Sequence, residues 1–115
     1  MTTYNIISEL EKSSSKFPTK VAIYGVRKNY CYYQFSKITD YISNYLTEIV
    51  GSGENIGLVL DQGENIVFSF FSILKSNNIY VPFSPNIEYK KLKDSLISLN
   101  INVIITDDKN FNQVR

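Results

Sequence analysis

The sequence predicts an α/β fold, in which a parallel or mixed sheet is flanked by helices and preceded by a β-hairpin. Strand-length apolar runs alternate with longer segments whose apolar residues recur every three or four positions. Uninterrupted apolar runs are typical of strands buried on both faces. Their alternation with helices favours parallel strands joined by right-handed crossovers. We expect residues 1–115 to form a single α/β domain, since this is an ordinary length for one domain.

The first third of the chain is expected to form a helix and then a hairpin. Residues 5–16 carry apolar side chains on one face and charged ones on the other. Phe17-Pro18 ends this helix, because a residue that precedes proline is pushed out of the helical region. The apolar residues 21–24 and 30–32 would pair across a turn over residues 25–29, where Gly and Asn favour reversal.

The remainder alternates between strands and helices. Helices are predicted over residues 34–50, 64–75 and 87–99, the second apolar on nearly every side and therefore central. Strands are predicted over residues 56–60, 79–82 and 101–106, and a polar tail over 107–115. The loop 51–53 separates the first of these helices from its strand, and Ser84-Pro85-Asn86 is expected to cap the last helix.

Composition excludes several classes of function. The net charge is +1, from 12 basic and 11 acidic residues, which favours neither nucleic acid nor a membrane surface as a partner. The longest apolar run, near residues 66–74, is far shorter than the ~20 residues of a membrane span. With no histidine and one cysteine, Cys31, a His–Cys metal site, a His-based triad and an internal disulfide are excluded. The single thiol and the lack of a signal-peptide pattern lead us to expect a cytoplasmic protein.

Residues 74–85 form a distinctive motif and read Leu-Lys-Ser-Asn-Asn-Ile-Tyr-Val-Pro-Phe-Ser-Pro. This stretch resembles the signature Leu-Lys-Ala-Gly-x-x-Tyr-Val-Pro-Leu-Asp-Pro of the adenylate-forming superfamily: acyl-CoA synthetases, luciferases and, closest, the adenylation domains of nonribosomal peptide synthetases. Six positions match at the right spacing, while Ser76 and Asn77 replace Ala and Gly, and Ser84 replaces Asp. Asn tolerates the left-handed conformation that such a Gly adopts, and Ser caps helices as Asp does.

Further stretches resemble the same superfamily in the same order. Residues 30–35, Tyr-Cys-Tyr-Tyr-Gln-Phe, are similar to its Leu-Thr-Tyr-x-Glu-Leu, and residues 53–60 to its Gly-Asp-x-Val strand segment. The opening helix with residues 17–23 resembles the superfamily's usual start, and residues 103–107 resemble the strand that closes its first section. The resemblance covers roughly residues 5–107 and identifies the chain as the N-terminal section of an adenylation domain.

The resemblance implies an activity that this chain does not complete. Members activate a carboxylate with ATP, release pyrophosphate and pass the acyl group to a thiol. Their phosphate loop, adenine and ribose contacts, and catalytic lysine lie further along than residue 115. We therefore expect no catalytic, cofactor-binding or metal-binding residue here, with ATP and Mg²⁺ bound only by a full-length enzyme, and an isolated chain that is inactive. Expected partners are the remainder of the domain or a carrier protein, with self-association through an exposed apolar face as a further option.

Other candidate residues favour structural interpretations. Residues 51–55 contain glycines but no lysine and precede a strand, so we interpret them as a connecting loop, not a phosphate loop. Asp61 follows a buried strand and is expected in a turn or helix cap, although a receiver-like phospho-acceptor would occupy the same place. Cys31 is expected to be an inert buried thiol, and Tyr30, Tyr32 and Tyr33 to be sheet residues and not base-stacking ones.

Two further hypotheses follow from the same residues. The chain could be a stand-alone α/β binding module that complements or docks on a synthetase partner. Such a module would expose an apolar surface where the rest of the domain would otherwise pack. A receiver-like or flavodoxin-like domain ranks lower, because the acidic pair at residues 107–108 follows the last strand and no matching lysine strand comes after it.

Overall fold

Helices and strands alternate along the chain after an N-terminal helix and hairpin. In the computed structural model, residues 5–61, 63–107 and 110 are described. The elements are α1 Ile6–Lys16, β1 Val21–Tyr24, β2 Asn29–Cys31, α2 Tyr32–Val50, β3 Asn55–Val59, α3 Glu64–Lys75, β4 Ile79–Pro82, α4 Tyr89–Ser98 and β5 Val103–Thr106. The predicted polar tail lies almost wholly outside the described residues.

The three later strands form a parallel sheet in the order β4-β3-β5. Ile56 of the central strand is in register with Tyr80 on one side and Val103 on the other. Strands β1 and β2 form a separate antiparallel pair. Both the parallel sheet and the N-terminal hairpin predicted from the sequence are therefore confirmed.

Strand β3 is the most deeply buried element. Residues 56–60 are all buried, as the uninterrupted apolar run predicts. A side chain at Gly57 would crowd its neighbours, because a Cβ there would lie 3.2 Å from Ile104 and 3.4 Å from Phe83. The chain leaves β3 for β4 on one side and returns past β3 to β5 on the other, and the right-handed rule for such crossovers predicts α3 and α4 on opposite faces of the sheet. Burial on both faces follows from this layering.

The core lies where α1, α2 and α3 meet the hairpin and the sheet. Leu10, Phe35 and Phe68 form one buried cluster, and a second cluster joins Leu46, Ile56 and Ile73. The ring centroids of Phe35 and Phe68 are 5.6 Å apart. Each such side chain contributes about 1.5–3 kcal/mol when it is withdrawn from water.

Helix α2 begins two residues earlier than predicted. Tyr32 and Tyr33 start the helix, so their assignment as sheet residues is wrong, whereas Tyr30 lies in β2 as expected. The cause is a reciprocal cap: Gln34 Oε1 accepts from the backbone N–H of Cys31 at 2.9 Å, while the Cys31 side chain accepts from the backbone N–H of Gln34.

The segment between β4 and β5 also departs from expectation. Helix α4 starts at Tyr89 after Glu88, so Ser84-Pro85-Asn86 does not cap it. Ser84 instead closes a turn: its Oγ accepts from Asn86 N at 3.2 Å and its carbonyl from Ile87 N at 3.0 Å. At the other end, strand β5 starts at Val103, two residues later than predicted.

A helix-terminating hydrogen bond accounts for the late start of β5. Ile101 N donates to the carbonyl of Leu96 at 2.8 Å. Asn100 has a φ of 54°, the left-handed conformation that commonly closes a helix. Ile101 is thus part of the termination of α4 and is buried there, not in the sheet.

Candidate functional site

The first half of the 74–85 stretch joins three helices. Lys75, whose side chain is only 6% exposed, ends α3 and points between α1 and α2. Its Nζ donates to Thr39 Oγ1 at 2.7 Å and to Asp40 Oδ1 at 2.8 Å, and lies 3.5 Å from Glu11 Oε1. A buried ammonium requires such partners. The lysine of this stretch is thus a structural tie between helices.

The two asparagines after this lysine fix the neighbouring loop. Asn77 has a φ of 59°, which confirms the left-handed conformation expected at this position. Asn78 Oδ1 accepts from Glu54 N at 2.8 Å, and its Nδ2 donates to the carbonyl of Gly51 at 3.0 Å. Gly53 N donates to the Asn77 carbonyl at 2.8 Å. Because the amides of residues 53 and 54 already bond to protein, this segment is a connecting loop as predicted.

A polar crevice of about 550 Å³ lies at the carboxyl ends of β3 and β5. The hairpin turn, the start of α3 and the residues that follow the two strands form its walls. Its lining comprises Val26, Arg27, Lys28, Tyr30, Asp61, Gly63, Glu64, Asn65 and Asp107. We call this site the polar crevice.

A clasp between the hairpin turn and α3 shapes the polar crevice. Glu64 Oε2 accepts a hydrogen bond from Val26 N at 3.2 Å, and Gly25 N donates to the Lys28 carbonyl at 3.0 Å across the turn. A Cβ on Gly25 would lie 2.5 Å from that carbonyl and 3.2 Å from the Glu64 carboxyl group. Only glycine allows the turn and the helix to approach this closely.

The position of the polar crevice is one where α/β sheets commonly bind ligands. The chain passes from β3 to β4 on one side and then crosses to β5 on the other, so the strand order reverses beside β3. Residues of both signs line the space: Arg27 and Lys28 belong to the hairpin turn, and acidic residues lie at the strand ends and at the start of α3. The crevice can therefore offer donors and acceptors to a polar group.

Asp61 is on the wall of the polar crevice. It precedes Gly63, and α3 begins at Glu64, so Asp61 lies in the segment that leads into the helix. The sequence analysis did not identify Arg27, Lys28 or Glu64 as candidate site residues. Asp108, the second member of the acidic pair weighed with it, lies outside the described residues.

An apolar groove of about 310 Å³ lies on the other side of the start of α3, over β3 and β4. Its lining is Leu58, Leu60, Ile66, Val67, Phe70, Phe71, Tyr80 and Pro82, with no charged side chain. Phe70 and Tyr80 meet edge to face with ring centroids 4.6 Å apart. We call this surface the apolar groove.

The remaining candidates play structural parts. Cys31 is half-buried, not buried as expected, and it caps α2. Within the described ranges, no three His, Cys, Asp or Glu side chains are grouped so that they could hold a metal ion. In the same part of the chain, no helix combines the length and apolar character that crossing a membrane requires.

Comparison with known proteins places these features in context. Residues 10–115 match the family model of the AMP-binding enzymes. A plipastatin synthase subunit of Bacillus subtilis (strain 168) is 23% identical over 104 residues, which cover 90% of this chain. The D-alanine–D-alanyl carrier protein ligase of Lacticaseibacillus rhamnosus is 27% identical over 93 residues, or 78% of this chain.

A solved structure shows that the similarity includes the fold. The anthranilate CoA ligase AuaEII in complex with anthranoyl-AMP superposes with a TM-score of 0.88 and 23% identity, over 96% of this chain. This chain spans only a small part of each protein: 4% of the plipastatin synthase subunit, 18% of the D-alanine ligase and 22% of AuaEII.

Proposed function

The chain belongs to the family of AMP-binding enzymes, and from this premise we propose that it serves as the N-terminal section of an amino-acid-activating adenylation domain. The complete enzyme would join the carboxylate of an amino acid, or of another acid, to the α-phosphate of ATP and release pyrophosphate. It would then transfer the acyl group to the thiol of a carrier protein. One observation carries the proposal: the match to the family is continuous over residues 10–115, on a chain whose fold matches the corresponding part of a ligase.

In this proposal the chain contributes structure and not chemistry. Its three-helix junction at Lys75 and its buried strand β3 would supply a packed base for the rest of the domain. ATP and Mg²⁺ would be held by residues of a complete enzyme that this chain does not contain, so the chain alone would be inactive. The folding unit would be residues 1–115 as one α/β domain.

A chimera tests whether this section supports the family's reaction. The part of the chain that aligns with the D-alanine–D-alanyl carrier protein ligase, 78% of its residues, would replace the matching region of that enzyme and leave the rest intact. We expect D-alanine-dependent ATP–pyrophosphate exchange above that of the ligase lacking the region. A matched chimera carrying Ile73→Asp in the buried core should lose this exchange. A folded chimera with no exchange would contradict the proposal.

The apolar groove favours a second candidate function, a stand-alone module that docks on a synthetase or carrier protein. A contiguous apolar surface of this kind commonly marks a protein interface. Isothermal titration with the D-alanyl carrier protein and with the truncated ligase would reveal either complex. Sedimentation of the chain alone would reveal self-association through the same face. Saturable binding to the carrier protein without any exchange in the chimera would favour this candidate.

A further inference from the structure

We propose that two copies of this chain associate through the outer face of helix α2. The contact surface is a row of side chains spaced four residues apart along that helix: Tyr33, Lys37, Tyr41, Tyr45 and Ile49. We call this row the tyrosine ridge. It lies outside both the apolar groove and the polar crevice, so the inference goes beyond the proposed function and does not depend on it.

The tyrosine ridge is exposed and mostly apolar. The exposed fractions of its large apolar side chains are 56% for Tyr33, 78% for Tyr41, 57% for Tyr45 and 47% for Ile49. Residues four apart on a helix are neighbours on one face, so these side chains form one surface about 24 Å long. Single exposed apolar residues are ordinary, whereas a contiguous row is typical of an interaction surface. Tyrosine in particular is enriched in protein interfaces.

The opposite face of α2 is already packed within the chain. Phe35, Thr39, Ser43 and Leu46 are buried on that face, where Phe35 contacts α3 and Leu46 packs with the sheet. The tyrosine ridge points away from this core, and the described residues leave it open to solvent. Rows of side chains four residues apart are the ridges that pack into the grooves of a second helix, so a helix is the partner that fits this surface.

Charges near the two ends of the tyrosine ridge favour a second copy of the same helix. Lys37 lies near the N-terminal end, with its Nζ 5.5 Å from the centre of the Tyr33 ring. Glu48 is exposed beside Ile49 at the C-terminal end, and within the described ranges no ion pair joins it to a basic residue. Lys37 and Glu48 are about three helical turns apart, so both lie on the side of α2 that carries the ridge.

An antiparallel pair of α2 helices brings these charges together. A two-fold axis near residues 42 and 43 places Lys37 of each copy beside Glu48 of the other copy, and Tyr41 of each beside Tyr45 of the other. A parallel two-fold pair would instead place like charges against each other, which is unfavourable. Because a two-fold contact is self-complementary, one helix supplies both halves of the antiparallel interface.

The area of the tyrosine ridge limits the strength of this dimer. A fully buried aromatic side chain withdraws about 150–250 Å² from water, so the exposed parts of the three tyrosines supply about 400 Å² on each copy. Ile49 and the aliphatic stems of Lys37 and Glu48 add to this area. The total is close to the ~1,200 Å² at which stable interfaces begin, which corresponds to a weak, reversible dimer with a micromolar Kd.

Sedimentation equilibrium of the purified chain tests the contact surface. From low micromolar to submillimolar concentration, the apparent mass should rise from that of a monomer toward that of a dimer. Tyr45→Lys should raise the Kd by about tenfold or more, because it places a charge at the centre of the interface. Ile97→Lys, on α4 where the native side chain is 71% exposed, and Ile66→Lys, in the apolar groove, are controls and should associate as the parent chain does.

Two outcomes of this measurement would overturn the proposal. The first is a chain that stays monomeric throughout the concentration range. The second is association that Ile66→Lys removes and Tyr45→Lys keeps, which would place the contact in the apolar groove. Circular dichroism of each variant shows whether it is folded at the concentrations compared.

Charge exchange tests the antiparallel arrangement itself. Lys37→Glu and Glu48→Lys should each weaken association by about tenfold, because each places two pairs of like charges across the interface. An equimolar mixture of the two variants should associate as tightly as the parent chain, since every contact between positions 37 and 48 then joins opposite charges. Such recovery cannot arise within one chain. A mixture that associates no better than the separate variants would overturn the proposal.

Discussion

Helix α3 has two apolar faces, and the described residues cover only one of them. Phe68 and Ile73 are buried against α1, α2 and the sheet. Ile66 and Phe70, on the other face, line the apolar groove and remain half-exposed. The two faces have similar composition, so hydrophobicity alone does not tell them apart. Packing on the covered face therefore stabilises this chain, while the open face is available to a partner.

Replacement of a side chain on the covered face should have the largest effect. Ile73→Ala would leave a cavity beside Leu46 and Ile56, and we expect a loss of about 2–5 kcal/mol in the free energy of unfolding. Urea denaturation followed by circular dichroism measures it. Ile97→Ala, on the exposed side of α4, is the control and should change stability by less than about 0.5 kcal/mol.

Removal of the Lys75 ammonium, which joins the helices, should have the second-largest effect on stability. Lys75→Met keeps most of the side-chain volume but removes the hydrogen bonds to Thr39 and Asp40. We expect the free energy of unfolding to fall by about 1–3 kcal/mol. The carboxylates of Asp40 and Glu11 are about half exposed, so water compensates part of the loss. A double-mutant cycle with Asp40→Asn checks the pairing, and additive losses would show that the pair is not coupled.

The clasp at the polar crevice should show a smaller effect. Gly25→Ala pushes the new Cβ against the Lys28 carbonyl and the Glu64 carboxyl group, and we expect a loss of about 1–2 kcal/mol. The amide resonance of Val26 should move as its bond to Glu64 breaks, which heteronuclear NMR detects. Glu64→Gln keeps a side-chain oxygen that can accept from Val26 N, so it should lose less stability than Gly25→Ala. A larger loss in Glu64→Gln would mean that the charge of the carboxylate matters more than the absence of a side chain at Gly25.

Substitution on the open face should have the smallest effect. Ile66→Lys places a charge at the rim of the apolar groove, where the long side chain can reach water, so stability should change by less than about 0.5 kcal/mol. The same denaturation experiment measures it. A loss comparable with that of Ile73→Ala would show that both faces of α3 are packed, and would remove the contrast between them.

Local patterns in the sequence predict most of the elements. The apolar period of α2 and the continuous apolar run of β3 mark both elements, because burial on those sides imposes the pattern directly. The early start of α2 escapes prediction because it depends on the reciprocal cap of Cys31 and Gln34, and the late start of α4 because Ser84 closes a turn ahead of it. Element ends are generally less constrained by periodicity than element interiors.

The polar crevice could not be predicted in the same way. Its clasp joins Val26 to Glu64 across 38 positions of sequence, and no local pattern encodes that contact. The sequence predicts Gly25 in a turn, but its role in admitting Glu64 follows only from the packing of the hairpin on α3. An exposed apolar surface is likewise expected from the sequence, whereas the position of the apolar groove over β3 and β4 required the strand order.

The central proposal is that this chain is a structural section of an adenylation domain and supplies none of the residues of its chemistry. ATP–pyrophosphate exchange by the purified chain, assayed with each of the common amino acids and Mg²⁺, tests it most directly. We predict no exchange above the level without amino acid, alongside D-alanine-dependent exchange in the chimera. Amino-acid-dependent exchange by the chain alone would contradict the account.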